Sequence, residues 1–385
     1  MKQAISNVHI YPSAFTNESR IFKETASLIR LGLVDEIVMV GIWEPGLAEF
    51  EQLDAERSIL RIKERFVFKQ SLLNFIAKYF FFQFQVIRAL KGRKIDIINC
   101  HNLSVLGIGV YFKIFKGIPL IYDAHELETE VNGARGLKKR IGKILEAIYM
   151  PFVDELIVVS RLIGEWYKNK YKLPNATVIR NVPHFYPYST KPNIIREMFG
   201  ITAGQLIFIY QGILTKSRGV HIIIDAFLNV KPEQHIVFLG MGDMAEEIKA
   251  IAAKHLNVHF IPAVPPAEIR NYTASADVGI ALIQNSCLSY YYCSPNKVFE
   301  YLMHGIPQII SDFPEMAETI DGGACGWLIS PEKENLVSLL QQLNRASVAE
   351  KTASVLQKRR GIGWEMEEAG LVHVYSRITE KLKLK

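Results

Sequence analysis

The stretch QLIFIYQGILTKSRGVHIIIDAFLNVKPEQHIVFLG, residues 205–240, decides the fold class of this chain. Its two ends are short runs of β-branched and other apolar residues, and an amphipathic run of helical length lies between them. A strand, a helix and a second strand in this order form a βαβ unit with parallel strands. The segments NVHFIPA, DVGIALI, KVFEYLMHG and PQIISD continue the alternation. Residues 191–363 are therefore predicted to form a doubly wound α/β domain.

The first half of the chain repeats this alternation. Its strand-like segments, separated by helical patterns, are VHI, DEIVMVG, DIINCH, PLIYDAH and ELIVVS. The stretch KLPNATVIRNVPHFYPYSTKPN, residues 172–193, is rich in Pro, Asn and Thr, a composition typical of a linker. We therefore predict a first domain over residues 1–190, a second over 191–363 and a separate helix over 364–385. Two domains also agree with a length of 385 residues.

The composition excludes several classes of protein. With 49% hydrophobic and 22% charged residues, the chain is globular rather than disordered. Its four cysteines, Cys100, Cys287, Cys293 and Cys325, form no CxxC pair and lack zinc-ligand spacing, so neither a disulfide framework nor a structural metal is indicated. The N-terminal residues do not contain the long apolar segment of a secretory signal. We expect a cytoplasmic protein.

The net charge of +6 is concentrated in one segment. Residues 57–94 contain ten basic residues and one acid, Glu64, a net charge of +9. The ten are Arg57, Arg61, Lys63, Arg65, Lys69, Lys78, Arg88, Lys91, Arg93 and Lys94. No nucleic-acid module accompanies them, so nucleic acid is not expected as a partner. An anionic membrane surface is the better candidate.

An aromatic helix over Leu72 to Leu90 lies within this basic segment. Its longest uncharged run, YFFFQFQVI over Tyr79 to Ile87, is far shorter than the roughly 20 apolar residues that span a bilayer. Two interpretations stay open. The helix is either a buried helix of the first domain, or an interfacial helix that docks on a membrane through Phe75 to Phe84 and the flanking basic residues.

A glycine pattern in the second half admits a dinucleotide interpretation. Gly240, Gly242 and Ala245 follow a strand and precede a helix, as in G-x-G-x-x-A. A nicotinamide dinucleotide site also needs an acid after the next strand, to hold the ribose. That strand reads NVHFIPAV and carries none. The pattern therefore favours a tight strand-to-helix turn.

The segment CLSYYYCSPNKVFEYLMHGIPQIISD, residues 287–312, contains a more specific constellation. Ser294 and Pro295 are interpreted as the N-cap and first residue of a helix. The free N–H groups of such a helix bind phosphate. Lys297 lies in the first turn, where a cation is unfavourable unless an anion is bound nearby. Glu300, one turn later, can accept hydrogen bonds from a pair of ribose hydroxyls.

These motifs together identify a family. SPNKVFEYLMHGIPQIISD resembles the donor-site segment of family 4 glycosyltransferases, which are retaining enzymes of the GT-B fold, and YQGILTKSRGVHIIIDAF resembles their strand, glycine-rich loop and helix. YPSAFTNESRIFKETASLIRLG, IDIINCHN and IYDAHELETE match the first half more loosely. The resemblance implies two tandem Rossmann-like domains that face a cleft. Residues 1–190 would be the acceptor side and 191–363 the nucleotide-sugar donor domain, with the helix 364–385 crossing back to the first domain.

The resemblance also implies roles for individual residues. Glu300 matches the second glutamate of the Glu-x7-Glu motif, which contacts the ribose, and Arg218 stands where a lysine usually contacts the diphosphate. The implied donor-binding residues are Gly212, Arg218, Ser294, Asn296, Lys297 and Glu300. The implied catalytic residues, on the acceptor side, are His101, His125 and Glu126. Two positions depart from the family pattern: Tyr292 replaces the first glutamate of the motif, and Ile213 stands where many members have an arginine.

The expected activity is transfer of a sugar, typically a hexose, from a nucleotide-diphosphate sugar to an acceptor with retention of the anomeric configuration. The resemblance implies no metal or other cofactor, since GT-B enzymes usually work without a metal and no DxD-like motif stands out in the sequence. Arg218, Lys297 and the helix N-terminus would neutralise the leaving diphosphate instead. A lipid-linked glycan or cell-surface polysaccharide is the expected acceptor class, reached from the cytoplasmic face of the membrane. Two alternatives stay open: a sugar-nucleotide 2-epimerase of the same fold, and a catalytically silent partner subunit.

Overall fold

The computed structural model describes residues 4–63, 72–186 and 191–383, without the side chains of residues 72–78 and 383. The chain forms two compact units: unit 1 is Met1–Arg180 with Glu367–Lys385, and unit 2 is Asn181–Met366. The linker-like sequence is partly structured, because Thr177–Val178 adds a strand to unit 1 and the carbonyl of Pro183 accepts a hydrogen bond from the backbone of Trp364 in unit 2. The chain therefore leaves unit 1 for unit 2 before residue 190, between Arg180 and Asn181.

Unit 1 is built on an eight-stranded sheet in the order β3-β4-β2-β1-β5-β6-β7-β8. All neighbouring strands are parallel except β3 and β4. The inner strands β1 and β6 are buried along their whole length, as expected where helices cover both faces of a sheet. The strands are β1 Ser6–Ile10, β2 Glu36–Ile42, β3 Phe50–Gln52, β4 Arg57–Ile62, β5 Ile97–Cys100, β6 Leu120–Ala124, β7 Glu155–Val158 and β8 Thr177–Val178.

The helices of unit 1 connect these strands. They are α1 Ser19–Arg30, α2 Leu72–Leu90, α3 Leu103–Lys116, α4 Gly136–Tyr149 and α5 Arg161–Tyr171. Local sequence sets the ends of α3: the side chain of Asn102 accepts a hydrogen bond from the Ser104 N–H at 2.8 Å, and Gly117 ends the helix with a left-handed φ of 66°.

Unit 2 is built on a six-stranded parallel sheet in the order β11-β10-β9-β12-β13-β14. Its strands are β9 Leu206–Ile213, β10 Gln234–Met241, β11 Val258–Pro262, β12 Val278–Ala281, β13 Gln308–Ser311 and β14 Gly326–Ile329. Its helices are α6 Ile194–Phe199, α7 Val220–Phe227, α8 Ala245–Ala252, α9 Pro266–Ser275, α10 Leu288–Tyr291, α11 Asn296–Met303, α12 Pro314–Thr319, α13 Lys333–Gln342 and α14 Arg345–Lys358. The predicted α/β class, with two Rossmann-like sheets, is confirmed.

The last helix, α15 Trp364–Lys383, packs most of its length on unit 1. The Tyr375 hydroxyl lies 3.1 Å from Asn99 Oδ1 and 3.4 Å from Asn7 Nδ2, beneath the central strands. Arg377 donates from Nε to Glu155 at 2.9 Å. Unit 1 is thus completed by residues from the far end of the chain.

Each sheet has one position where the direction of winding reverses. In unit 1, β1 lies between β2 and β5, and in unit 2, β9 lies between β10 and β12. Ligands of open α/β sheets bind beyond the carboxyl ends of the strands at such a switch point. The residues that follow β1 and end β9 are therefore expected to contact ligands.

The basic segment is less positive than its own composition suggests, because acids outside it neutralise several of its residues. Arg57 pairs with Asp54 at 2.6 Å and Lys94 with Asp96 at 3.3 Å, and Lys63 pairs with Glu49. Arg61 is only 3% exposed. It pairs with Glu51 at 2.7 Å and donates to the carbonyls of Ala14 and Ala48. The expectation of one continuous basic patch is wrong for these residues.

The aromatic helix is partly buried and partly exposed. Phe82 is buried, whereas Phe80 and Phe84, one turn apart, are 57% and 61% exposed. Arg65, Lys69 and the side chain of Phe75 lie outside the described residues. The interpretation as a buried helix therefore holds for one face of α2, and docking on a membrane stays a prediction. No helix in the described part of the chain is long and apolar enough to span a bilayer.

Candidate active site

The carboxyl end of β9 forms the floor of the candidate donor site in unit 2. Gly212 has a φ of 116°, which favours glycine, and a Cβ at this position would lie 3.6 Å from Lys297 Nζ. Gly240 of β10 is even more constrained, because a Cβ there would lie 1.9 Å from the carbonyl oxygen of Gly212. A Cβ at Gly242 would similarly lie 2.3 Å from the Leu214 carbonyl oxygen. The glycine pattern of β10 thus serves close packing against β9.

Helix α11 points its first turn at this site, but it begins one residue later than predicted. The helix runs Asn296–Met303, with Pro295 as the N-cap in an extended conformation (φ −72°, ψ 136°). The assignment of Ser294 as N-cap is therefore wrong, since the extended Pro295 stands between it and the helix. Pro295 offers no capping side chain. The first-turn N–H groups of α11 depend on other acceptors.

Lys297 is a buried lysine of unit 2. It is 7% exposed, and its Nζ lies 3.7 Å from the centre of the Tyr210 ring. Burial lowers the pKa of Lys297 well below its usual value, and the nearby positive charge of Arg218 lowers that pKa further. A cation held in this way gains stabilisation from any anion that binds beside it.

Glu300 lies one turn after Lys297 and is held by a residue that the sequence did not reveal. Its carboxylate accepts a hydrogen bond from the side chain of Gln211, the buried residue that precedes Gly212 on β9. The other end of that amide accepts from the Thr273 hydroxyl. Gln211 therefore fixes the position of the carboxylate that the family pattern assigns to the ribose.

The remaining predicted donor residues, and the two positions that depart from the family pattern, are at least partly exposed. Arg218 ends a short 3-10 turn over Lys216–Arg218, just before α7, and is partly exposed. Asn296 is exposed at the start of α11, and Ser294 is partly exposed before it. Tyr292 follows the short helix α10 and is partly exposed. Ile213 is exposed at the end of β9.

The carboxyl ends of β5 and β6 in unit 1 carry a buried hydrogen-bonded chain of polar groups. His9 Nδ1 and His101 Nε2 are 2.8 Å apart, and His101 Nδ1 lies 2.9 Å from Asp123 Oδ2. The same Asp123 oxygen lies 3.1 Å from His125 Nε2. Tyr11 follows β1, and its ring centre is 5.5 Å from that of His125. The site at the switch point of unit 1 is thus built from three strand ends.

The protonation of this chain follows from burial. Desolvation lowers the pKa of His101 to about 4, so the ring is neutral and has one N–H. A carboxylate only accepts, so Nδ1 of His101 donates to Asp123 and Nε2 accepts from His9. By the same reasoning Nε2 of His125 donates to Asp123. A His125 ring with its single N–H on Nε2 would present Nδ1 as a hydrogen-bond acceptor.

Arg20 of α1 holds Asp123 from the other side. Its Nε and Nη2 donate to the two Asp123 oxygens at 2.9 and 2.8 Å, and Nε also lies 3.0 Å from Glu24. Burial opposes the negative charge of Asp123. The Arg20 guanidinium nevertheless holds the pKa of Asp123 well below its usual value. Burial raises the pKa of Glu24.

Two overlapping trios in this cluster have the right atoms to hold a metal ion. The trios are His9, Glu24 and His101, and His101, Asp123 and His125, with ligand atoms within 4.8 Å of one another. Both oxygens of Asp123 already bind the guanidinium of Arg20, which also pairs with Glu24. A metal ion would have to lie beside that fixed positive charge. The donor set therefore fits an internal hydrogen-bond network better than a cation site.

The predicted catalytic residues thus occupy different environments. His101 is fully buried with both ring nitrogens engaged, whereas His125 is 23% exposed and Glu126 is exposed beside it. The structure adds Asp123 and Arg20, which the sequence did not single out. Asp123 had a signal in the sequence, because it stands in IYDAHE at the end of a predicted strand. Arg20 had none, since its partner is 103 residues away.

Both halves of the chain match models of one enzyme family. Residues 36–182 match the model described as Glycosyltransferase Family 4, and residues 205–346 match the model described as Glycosyl transferases group 1. The resemblance predicted from the motifs is confirmed. No sequence among the curated proteins matches the chain.

Solved structures agree with the fold. Sucrose-phosphate synthase from Thermosynechococcus elongatus has a TM-score of 0.80 at 14% identity, over 98% of this chain and 100% of that one. Anabaena HepE, solved with UDP-glucose, has a TM-score of 0.70 at 14% identity, over 99% and 100%. WaaG, a glycosyltransferase involved in lipopolysaccharide biosynthesis, has a TM-score of 0.62 at 16% identity, over 92% and 94%. At these identities the likeness establishes the GT-B fold.

Proposed function

We propose that this chain, which belongs to the group 1 and family 4 glycosyltransferases, transfers a sugar from a nucleotide-diphosphate sugar to an acceptor hydroxyl with retention at the anomeric carbon. The donor diphosphate binds between Gly212 and the first turn of α11. Glu300 accepts from the ribose, and His125 and Glu126 act on the acceptor side. UDP-glucose, present in the HepE structure, is the first donor to test.

The buried Lys297 is the observation that carries this proposal. A lysine at this depth loses hydration, and the structure offers its ammonium the ring of Tyr210 and the backbone around Gly212. A diphosphate beside it would restore the lost stabilisation and would also meet Arg218. As the bond from the anomeric carbon to the diphosphate breaks, these two cations neutralise the charge of the leaving group. The acceptor oxygen forms its bond on the same face, and the departing phosphate takes the hydroxyl proton.

Donor binding is tested with Lys297→Ala and Glu300→Gln. Each change removes a charge-assisted hydrogen bond of about 1.5–3 kcal/mol, so we expect UDP affinity to fall roughly tenfold to a hundredfold. Isothermal titration with UDP measures this. Lys249→Ala and Glu246→Gln, exposed on α8, are the matched controls and should bind like wild type. Unchanged UDP affinity in both site variants would place the donor elsewhere.

We also propose that unit 1 docks on an anionic membrane, where a lipid-linked acceptor would reside. Phe80, Phe84 and the exposed Arg88 follow one another at intervals of four residues on α2. Helix α4 has its own exposed apolar residues, Leu137, Ile144 and Ile148. The two helices are neighbours, because the hydroxyls of Tyr79 and Tyr149 lie 3.5 Å apart.

The exposed basic residues of both helices support docking. They are Arg88, Lys91 and Arg93 at the end of α2, and Lys138 and Arg140 on α4. Each basic residue near an anionic leaflet contributes roughly 1 kcal/mol. Apolar insertion of the phenylalanine rings would add to this attraction. Arg61 of the basic segment is buried and does not belong to this set.

Vesicle flotation tests the docking surface. We expect the chain to bind vesicles that contain phosphatidylglycerol, less so as salt rises, because the attraction is electrostatic. Phe80→Ser/Phe84→Ser should lose most of this binding. Met198→Ser/Leu256→Ser removes exposed apolar side chains from unit 2 and should float like wild type. Equal flotation of the two double variants would remove α2 from the docking surface.

A further inference from the structure

Unit 2 has a second pocket, at the edge of its sheet opposite to the donor residues. Asp277 directly precedes β12, and Gly305 and Ile306 precede β13, so the pocket lies at the amino ends of these strands. Gln211 and Gly212, in contrast, lie at the carboxyl end of the parallel β9. One face of α14 closes the pocket. It is therefore separate from the proposed donor site.

The pocket has the size and the floor of a small-molecule site. Its volume is about 500 Å³, within the usual range for ligand pockets. Ala274, Ile306 and Val348 line it and are buried. Gly305 keeps it open: its φ is +73°, and a Cβ there would lie 2.9 Å from Leu356 Cδ2 and 3.3 Å from Arg359 Nη1. The floor is suited to a short apolar group.

The charges around the pocket favour an anion. Lys191, Arg345 and Arg359 line it together with one acid, Asp277. The Asp277 carboxylate is already occupied, because it accepts from Lys191 at 2.9 Å, from Arg196 at 2.5 Å and from the Ile207 N–H at 2.9 Å. The pocket thus has a positive excess that this acid does not cancel.

Arg359 is the best placed of these cations to bind a ligand. Its Nη1 lies 3.5 Å from the Met303 carbonyl oxygen, which is the outer limit of a hydrogen bond. Its guanidinium can therefore turn its parallel N–H groups to a new acceptor. Carboxylate and phosphate match this planar donor, often through two hydrogen bonds at once.

We propose that this pocket binds a small amphipathic anion, namely a carboxylate or phosphate monoester joined to a short apolar chain. The anionic head contacts Arg359 and the apolar chain lies on Ala274, Ile306 and Val348. This inference does not depend on the proposed transferase activity, because every residue that it uses lies outside the donor site.

Isothermal titration of the full chain with hexyl phosphate tests the proposal. We expect one hexyl phosphate per chain, with an affinity that saturating UDP does not change. Hexanoate should also bind, and hexanol and inorganic phosphate should each bind at least tenfold more weakly. Displacement by UDP would place hexyl phosphate in the donor site, and equal binding of inorganic phosphate would leave the apolar floor unused. Either result, or no binding of hexyl phosphate, overturns the proposal.

Two variants locate the binding site. Arg359→Gln should weaken hexyl phosphate binding at least tenfold, and the adjacent, exposed Arg360→Gln should not. Ala353→Trp, which adds a large side chain to an exposed position on the pocket wall, should abolish binding. Thermal unfolding of each variant shows that it is folded. Wild-type affinity in both Arg359→Gln and Ala353→Trp would refute the assignment.

Discussion

Replacing Arg20 by leucine is expected to lower the free energy of unfolding of unit 1 by about 3–5 kcal/mol, because it leaves the buried Asp123 carboxylate without its cation. Asp123 and Glu24 are 0% and 1% exposed, and Arg20 contacts both. The variant would also lose the hydrogen bond from Nη1 to the Ile179 carbonyl, at 2.7 Å. Few surface substitutions approach this size.

The matched control for this prediction lies on the same helix. Arg30 also pairs with a glutamate, Glu368, but its side chain is 59% exposed, so Arg30→Leu should cost no more than about 1 kcal/mol. Urea unfolding measures both variants, and hydrogen exchange of β6 amides reports unit 1 separately from unit 2. If Arg20→Leu matched Arg30→Leu, Asp123 would have to be neutral in the folded protein.

The second large effect is expected on turnover. His125→Ala should reduce the rate of sugar transfer about a hundredfold, because misplacing the reacting hydroxyl has costs of this order. It removes the ring whose Nδ1 can accept from the acceptor hydroxyl. UDP affinity should stay within about twofold of wild type, since His125 belongs to unit 1 whereas Lys297 and Glu300 belong to unit 2.

A variant of the fully buried His101 distinguishes residues that act on the acceptor directly from residues that only position His125. His101→Ala should lower the turnover by releasing Asp123 and His125, and it should also lower the melting temperature, which His125→Ala should leave nearly unchanged. His373→Ala, an exposed histidine on α15, is the control and should keep the wild-type rate. The donor for these rate measurements is chosen by a thermal-shift screen. We expect the true donor to raise the melting temperature most among the nucleotide sugars tested. A His125→Ala enzyme with the wild-type rate would refute the role of this residue.

The fold could be predicted wherever burial leaves a continuous apolar run. Strands β2 and β9 contain such runs, IVMV and LIFIY, because helices cover both faces of a parallel sheet. Strand β4 was not predicted, since its sequence RSILRI begins with one arginine and contains another. The second, Arg61, is buried only because carbonyls of Ala14 and Ala48 accept its hydrogen bonds. Those contacts cannot be seen in the local sequence.

The donor site could be predicted in outline because its residues lie close together in one motif. Lys297 and Glu300 are one helical turn apart, so their side chains share a face. Their supports, Tyr210 and Gln211, come from a strand about 90 residues earlier and give no local signal. The helix start was misplaced because Ser294 and Pro295 fit a common capping pattern, whereas the extended backbone of Pro295 delays the helix by one residue.

The return of α15 to unit 1 has a consequence for the order in which the chain folds during synthesis. Domains usually fold from the N-terminus as they leave the ribosome. Here unit 2, residues 181–366, is continuous, and unit 1 still lacks its last helix when unit 2 is complete. Asn99 and Glu155 obtain Tyr375 and Arg377 as partners only after unit 2 has been translated. The half that is made first is therefore finished last, and a chain truncated after unit 2 would leave unit 1 without those partners.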